Sequence, residues 1–234
     1  MIVERVEHPT WTSNAYLVAD QRSGHGVYID GNGVTEPLAA RAATDDITIT
    51  HVLVTHGHAD HVVGVEETAA RLGVPLLRWP ELSDGQEVQS GDLRIEAIYT
   101  PGHCTDHLSF LVNQSDVFTA DVLFKGTLGG TTGGGANGYA DMRRSIDRLM
   151  QLDPAVRVHP GHTLPTTIGD EWEHNPFIRI WRGEDPEGTE QCLVRGDPAT
   201  LILFGPDYDG THKAWVRYPD GRDAIVGGSQ IERV

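Results

Sequence analysis

Short apolar runs of two kinds alternate along this chain. Residues 15–19 (Ala-Tyr-Leu-Val-Ala) and 26–29 (Gly-Val-Tyr-Ile) flank the polar stretch 20–25, a pattern that predicts a hairpin. Asp30-Gly31-Asn32-Gly33 breaks the second strand, and the alanine-rich segment 35–43 suits a helix with Thr35 as its N-cap. Residues 47–54 predict another strand. After a polar loop, Val62, Val65, Ala69 and Leu72 recur at helical spacing, and Gly73 follows as a stop. Strands are expected at 93–99, 117–120 and 156–158, and a helix over 141–152 with Met142, Ile146, Leu149 and Met150 on one face.

From Gly183 the character changes. The linker-like Gly-Glu-Asp-Pro-Glu-Gly precedes alternating runs at 201–204, 213–218, 223–226 and 230–234, separated by turns such as Pro219-Asp220-Gly221. That predicts a small antiparallel β unit, too small to stand alone and expected to pack on the main domain. The whole reads as an α+β chain with two sheets and helices outside, rather than one doubly wound sheet. Residues 1–182 form the expected main domain and 183–234 a β-rich extension.

At 234 residues the chain holds one full domain, or one domain with an appendage. No segment approaches the ~18 apolar residues of a membrane span. The opening Met1-Ile2-Val3-Glu4-Arg5-Val6-Glu7 lacks the apolar core of an export signal, so a cytoplasmic location is expected. Acidic residues outnumber basic ones 34 to 18, and Lys125 and Lys213 are the only lysines. Such a field repels nucleic acid and anionic membranes, so neither is an expected partner and a nuclease is disfavoured. Cys104 and Cys192 are too few for a disulfide framework and fit no zinc spacing; Cys104 reads as a buried, unreactive thiol.

The residues that end the apolar runs carry the chemistry. His56-Gly57-His58-Ala59-Asp60-His61 sets three imidazoles and a carboxylate within six residues, directly after one strand. Residues 93–99 lead through Thr100-Pro101-Gly102 to His103, 117–120 stop at Asp121, and 156–158 lead through His159-Pro160-Gly161 to His162. Each Pro-Gly pair ends a strand and turns the chain, presenting the next His on a loop. Five imidazoles and two carboxylates are too many for one tetrahedral ion and suit two neighbouring ones. Ligation by N and O without thiolate fits Zn²⁺, and Fe or Mn would also be accommodated. Residues two apart in an extended loop point the same way, so His56 and His58 can hold one ion with His103. Asp60 and His61 can hold the second with His162, and Asp121 can span both. A pair about 3.5–4 Å apart yields a bridging hydroxide at neutral pH and polarises a carbonyl, with Asp60 and Asp121 as the expected catalytic carboxylates.

Other histidines read more plainly. His51 is expected as a packed strand residue, His107 and His159 as partners orienting the ligands, and His8, His25, His174 and His212 as surface residues. The glycine-rich stretch from Lys125 to Gly138 lacks the Gly-Lys-Ser/Thr of a phosphate loop, leaving two readings: a flexible surface loop or a mobile segment beside the site.

His-x-His-x-Asp-His, Pro-Gly-His, Thr-Ala-Asp and a second Pro-Gly-His, in this order over about residues 10–180, resemble the metallo-β-lactamase-fold superfamily. Asp121-Val-Leu-Phe-Lys-Gly and the stretch from His159 through Asn175-Pro176-Phe177 look most like its glyoxalase II-like hydrolases of the short bacterial type. The resemblance implies an αββα sandwich with a dinuclear site at its edge, with His56, His58, Asp60, His61, His103, Asp121 and His162 as ligands. It implies a metal-dependent thioesterase acting on a small thioester or related acyl ester. The glutathione-specific enzymes carry a basic residue where this chain has Gly130, and a helical C-terminal domain where this chain has its β extension; a glutathione thioester is therefore disfavoured, and a thioester of another small thiol or another acyl ester is an equal expectation. A second reading is a persulfide dioxygenase of the same fold, using one iron held by His56 or His58, His103 and Asp121. A β-lactamase is disfavoured by the bridging Asp121 and the missing export signal.

Overall fold

The computed structural model describes residues 1–136 and 138–234; Asn137, within the glycine-rich stretch, lies outside the described residues. The chain divides into two compact units. One comprises Met1–Tyr99, Asp106–Ala120 and Gly161–Thr163; the other comprises Thr100–Thr105, Asp121–Pro160 and Leu164–Val234.

In the first unit a five-stranded sheet runs in the order Ile2–Glu7, Asn14–Ala19, His25–Ile29, Thr48–Leu53, Leu76–Leu77. The first two pairings are antiparallel and the last two parallel. Asn14–Ala19 is buried at every position, because it has a core on each face. Tyr16 and Val18 join Val27, Ile29 and Leu53 in one cluster with Leu93, Ile95, Ala97, Phe110, Val112 and Phe118 of the second sheet. Ala15, Leu17 and Ala19 face the other way, against Leu38 and Ala42 of helix Glu36–Thr44 and Val65 and Ala69 of helix Val65–Leu72. Side chains two apart share a face in a strand, so one six-residue strand serves both the inter-sheet core and the helix layer. Tyr16 meets Phe118 edge to face at 5.0 Å, and burial pushes its hydroxyl well above the usual tyrosine range.

The second sheet runs Thr166–Thr167, Arg157–Pro160, Asp116–Ala120, Leu108–Val112, Leu93–Tyr99, Glu87–Ser90. The C-terminal residues form a separate antiparallel sheet in the order Asp223–Gly227, His212–Arg217, Asp197–Pro206, Glu190–Val194, Ile231–Arg233. Its own core contains Cys192, Val194, Leu201, Ala214, Val216 and Val226. The α+β arrangement of two sheets with a C-terminal β unit is therefore the one expected. Among the described residues, no helix is long and apolar enough to cross a membrane.

Several local expectations are corrected. The helix expected through Val62, Val65, Ala69 and Leu72 is two helices, Ala59–Val62 and Val65–Leu72. Between them Val63 is extended and Gly64 left-handed at φ 81°. The reason is tertiary: Gly31 and Asn32 bridge in parallel to Val62 and Val63, drawing that backbone out of the helix. A Cβ on Gly31 would lie 2.7 Å from Val63 O, so this approach needs glycine. Thr35 precedes helix Glu36–Thr44, but its side chain makes no cap hydrogen bond. Pro37 at the second helical position has no N–H to cap. The helix expected at 141–152 runs Tyr139–Leu149, with Met142, Ile146 and Leu149 buried and Met150 as its C-cap.

Two helices without a counterpart in the sequence reading, Ile168–His174 and Pro176–Trp181, are too short for a periodic signal. Caps define them instead: Thr167 Oγ1 accepts from Asp170 N, and Asn175 Oδ1 accepts from Phe177 N. The buried Glu171 ties this region together. Its carboxylate accepts from Gly126 N at 2.9 Å, Asn175 Nδ2 at 2.9 Å and Thr166 Oγ1 at 2.8 Å. Burial pushes its pKa up, and those hydrogen bonds oppose the rise without cancelling it. A group whose folded pKa is raised contributes stability below its unfolded value, about 4.3 for Glu, which is lost as pH rises through the folded value. Glu171→Gln keeps an acceptor for Gly126 and Asn175 and offers Thr166 a donor. Urea unfolding from about pH 4 upward is expected to show wild-type stability falling relative to E171Q over that window; parallel profiles would contradict this.

Candidate metal centre

The strand Thr48–Leu53 delivers the chain into Thr55-His56-Gly57-His58, and the short helix Ala59–Val62 carries Asp60 and His61. His56 Nε2 and His58 Nδ1 lie 3.1 Å apart. Asp60 Oδ2 lies 3.6 Å from both His61 Nε2 and His162 Nε2. In the other unit His103 Nε2 lies 3.5 Å from Asp121 Oδ2. Ligand atoms of His56, His58, His103 and Asp121 all fall within 4.8 Å of one another, and so do those of Asp60, His61 and His162. The spacing reading has Asp121 spanning both sets; here its carboxylate is grouped with His56, His58 and His103 and not with Asp60, His61 and His162. His51, His107 and His159 fall in neither group among the described residues.

The donors are oriented from behind. Asp30 ends the strand His25–Ile29 in the left-handed region, at φ 61°. Its Oδ1 accepts from Thr55 N at 2.8 Å and its Oδ2 from Thr55 Oγ1 at 2.7 Å. The same Oδ2 lies 3.0 Å from His61 Nδ1. A carboxylate there makes Nδ1 the protonated nitrogen and leaves Nε2 the ligating one. Thr55 Oγ1 has given its hydrogen to Asp30, so it accepts from His56 Nδ1 at 3.1 Å, which turns His56 Nε2 inward too. Thr12 repeats the device: its hydroxyl donates to Trp11 O and lies 3.4 Å from His162 Nδ1. Gly130 O accepts from His103 Nδ1 at 3.0 Å. Four imidazoles thus show Nδ1 to the protein and Nε2 to the centre.

Asp30 is absent from the sequence-based candidates because Asp30-Gly31-Asn32-Gly33 reads as a strand break. The available signal was an acidic residue at a strand end, the same one that singled out Asp121. His107 is fully buried, and its ring stacks on His56 at 5.1 Å. His51 Nδ1 meets Thr50 Oγ1 at 2.9 Å, and burial lowers its pKa, as fits a strand residue held neutral. Cys104 is buried, 3% exposed.

The first half of the glycine-rich stretch is not a surface loop and lies beside His103 and Asp121. Thr127, Leu128, Gly129 and Thr131 are buried, and Leu123–Phe124 pairs with Thr127–Leu128 around Gly126. A Cβ on Gly129 would lie 1.8 Å from Asp121 O, so a side chain cannot be accommodated there. Residues 132–135 are exposed.

Nitrogen and oxygen donors in two sets, with ring nitrogens oriented by hydrogen bonds on their far side, fit two divalent ions and form the donor set of a metal-dependent hydrolase with a dinuclear site. The comparisons agree. The chain is 29% identical over 211 residues to hydroxyacylglutathione hydrolase GloC of Haemophilus influenzae, covering 76% of this chain and 98% of that protein. The crystal structure of ETHE1 from Myxococcus xanthus superposes with a TM-score of 0.70 at 29% identity, over 79% of this chain and 92% of that one. TTHA1623, solved in a di-iron-bound form, superposes with a TM-score of 0.66 at 29% identity, over 75% of this chain and 100% of that one. Residues 8–82 and 69–162 match the Metallo-beta-lactamase superfamily, and the chain belongs to it.

Proposed function

We propose that this chain is a thioesterase of the glyoxalase II-like type, using two divalent ions held by His56, His58, Asp60, His61, His103, Asp121 and His162. The observation that carries the reading is the gathering of these residues into two donor sets. Zinc is the ion the N/O set suits best, with iron or manganese as alternatives. When bound, such ions generate the nucleophile from water and polarise the acyl carbonyl.

The protein's own residues do the rest. Asp121 is the proposed shared ligand. Asp60, whose side chain is 27% exposed against 0% for His61 and 3% for His162, is the solvent-facing carboxylate of the second set. It accepts the hydrogen bond of the incoming water and aims it. Asp30, Thr55, Thr12 and Gly130 hold the imidazole rings so that no reorganisation is needed. A thiolate, whose conjugate acid has a pKa of about 8.5, leaves without a proton donor. That favours thioesters over amides at a site whose seven donors are taken up as ligands. The hydroxyacylglutathione hydrolase name of a relative supports the class; Gly130 and the β extension favour another small thiol.

The test is a thioester panel, including S-lactoylglutathione, assayed on protein stripped by chelator and reloaded. Stripping is expected to reduce hydrolysis by at least about a thousandfold and reloading with zinc to restore it. Two-metal protein that cleaves no thioester or acyl ester would overturn the proposal. So would one iron per chain with oxygen uptake on a persulfide.

A further inference from the structure

A short path inside the second unit joins the donor His103 to the C-terminal sheet. His103 Nδ1 donates to Gly130 O at 3.0 Å. The next residue, Thr131, is clamped to strand Asp223–Gly227: Thr131 N donates to Ile225 O at 2.9 Å, and Ile225 N donates to Thr131 Oγ1 at 2.9 Å. Thr131 is 4% exposed and Ile225 fully buried. Asp223–Gly227 stands at one edge of its sheet, and an edge strand presents N–H and C=O groups that need partners. Thr131 takes up both groups of Ile225, one with its backbone and one with its hydroxyl. Two residues earlier, Gly129 lies so close beneath Asp121 O that only glycine fits. The segment 129–131 is therefore fixed on one side to His103 and Asp121 and on the other to the C-terminal sheet.

We propose that the C-terminal sheet is part of the support of the metal centre, and that Thr131 is the positioning residue through which it acts. The inference rests on the two-ion reading above. The Thr131–Ile225 pair sets where Gly130 presents its carbonyl. That carbonyl sets the ring plane and tautomer of His103, whose Nε2 faces Asp121 Oδ2 at 3.5 Å. Valine at 131 has the shape of threonine but strands the buried Ile225 N–H without its acceptor, and the segment must shift to recover one. Partners behind a ligating imidazole typically account for about 10–100-fold in metal affinity.

The test compares wild type, Thr131→Val and Thr131→Ser, each loaded with zinc and titrated against a competing chelator. T131V is expected to hold one ion about tenfold or more weakly and the other as in wild type, and T131S to regain wild-type affinity. T131V binding both ions as tightly as wild type would overturn the inference while leaving the two-ion reading intact. Wild type that takes up no zinc would defeat that reading, and this inference with it. A second measurement is independent of any variant: zinc loading of wild type is expected to slow hydrogen exchange at the Ile225 and Thr131 amides, by reciprocity of coupling. Unchanged exchange at both amides would contradict it.

Discussion

Asp121→Ala is expected to lower hydrolysis by at least about three orders of magnitude, the scale of losing a metal-activated water. The carboxylate lies 3.5 Å from His103 Nε2 and belongs to the donor set with His56 and His58. As the proposed shared ligand, its removal costs both sets a donor. The close approach of Gly129 to Asp121 O is a backbone contact that alanine retains. The variant should therefore fold, which circular dichroism and the thermal midpoint of the metal-free protein will show. D121A retaining more than about a tenth of wild-type turnover is incompatible with a bridging role.

The second large effect is expected at Asp30, which touches substrate in no part of this account. Asp30→Ala removes acceptors from Thr55 N, Thr55 Oγ1 and His61 Nδ1, all buried. Each stranded group costs about 1–3 kcal/mol, and alanine adds the strain of a left-handed residue, about 1–2 kcal/mol. A loss of roughly 4–11 kcal/mol, comparable to the whole stability of an ordinary domain, is the expected result of urea unfolding. Asp30→Asn separates support from stability. Asparagine tolerates the left-handed backbone and still accepts from Thr55 N. Its amide, however, donates toward His61 Nδ1, which must give up its proton to accept. The proton moves to Nε2, on the face meant for the ion. D30N is thus expected to keep most of the stability and lose about 10–100-fold in metal affinity, read by chelator competition. Unaltered metal affinity in D30N would show that Asp30 serves the fold alone.

What the sequence disclosed and what it hid divide along one physical line. The donors were legible because each follows an apolar run, and a ligating residue type at a strand end is visible without knowing its neighbours. The pairing of sets followed from local geometry: His56 and His58 are two apart, and Asp60 and His61 share one turn of helix. Features that depend on a distant partner were not legible. Val63 leaves its helix because Asn32 pairs with it. The Thr35 side chain makes no cap bond: Pro37 has no N–H, and Leu38 N donates to the Thr35 carbonyl instead. Gly129 and Thr131 read as composition until Asp121 O and Ile225 appear beside them. Asp30 was hidden for the same reason, its role being defined by Thr55 and His61.

The most direct measurement is the metal content of the protein after stripping and reloading with zinc, beside His162→Ala treated identically. Two ions per wild-type chain, and one in H162A with the His56, His58, His103 and Asp121 set still filled, is the predicted result. One ion or none in the reloaded wild type, or two in H162A, would contradict a paired centre built from these residues.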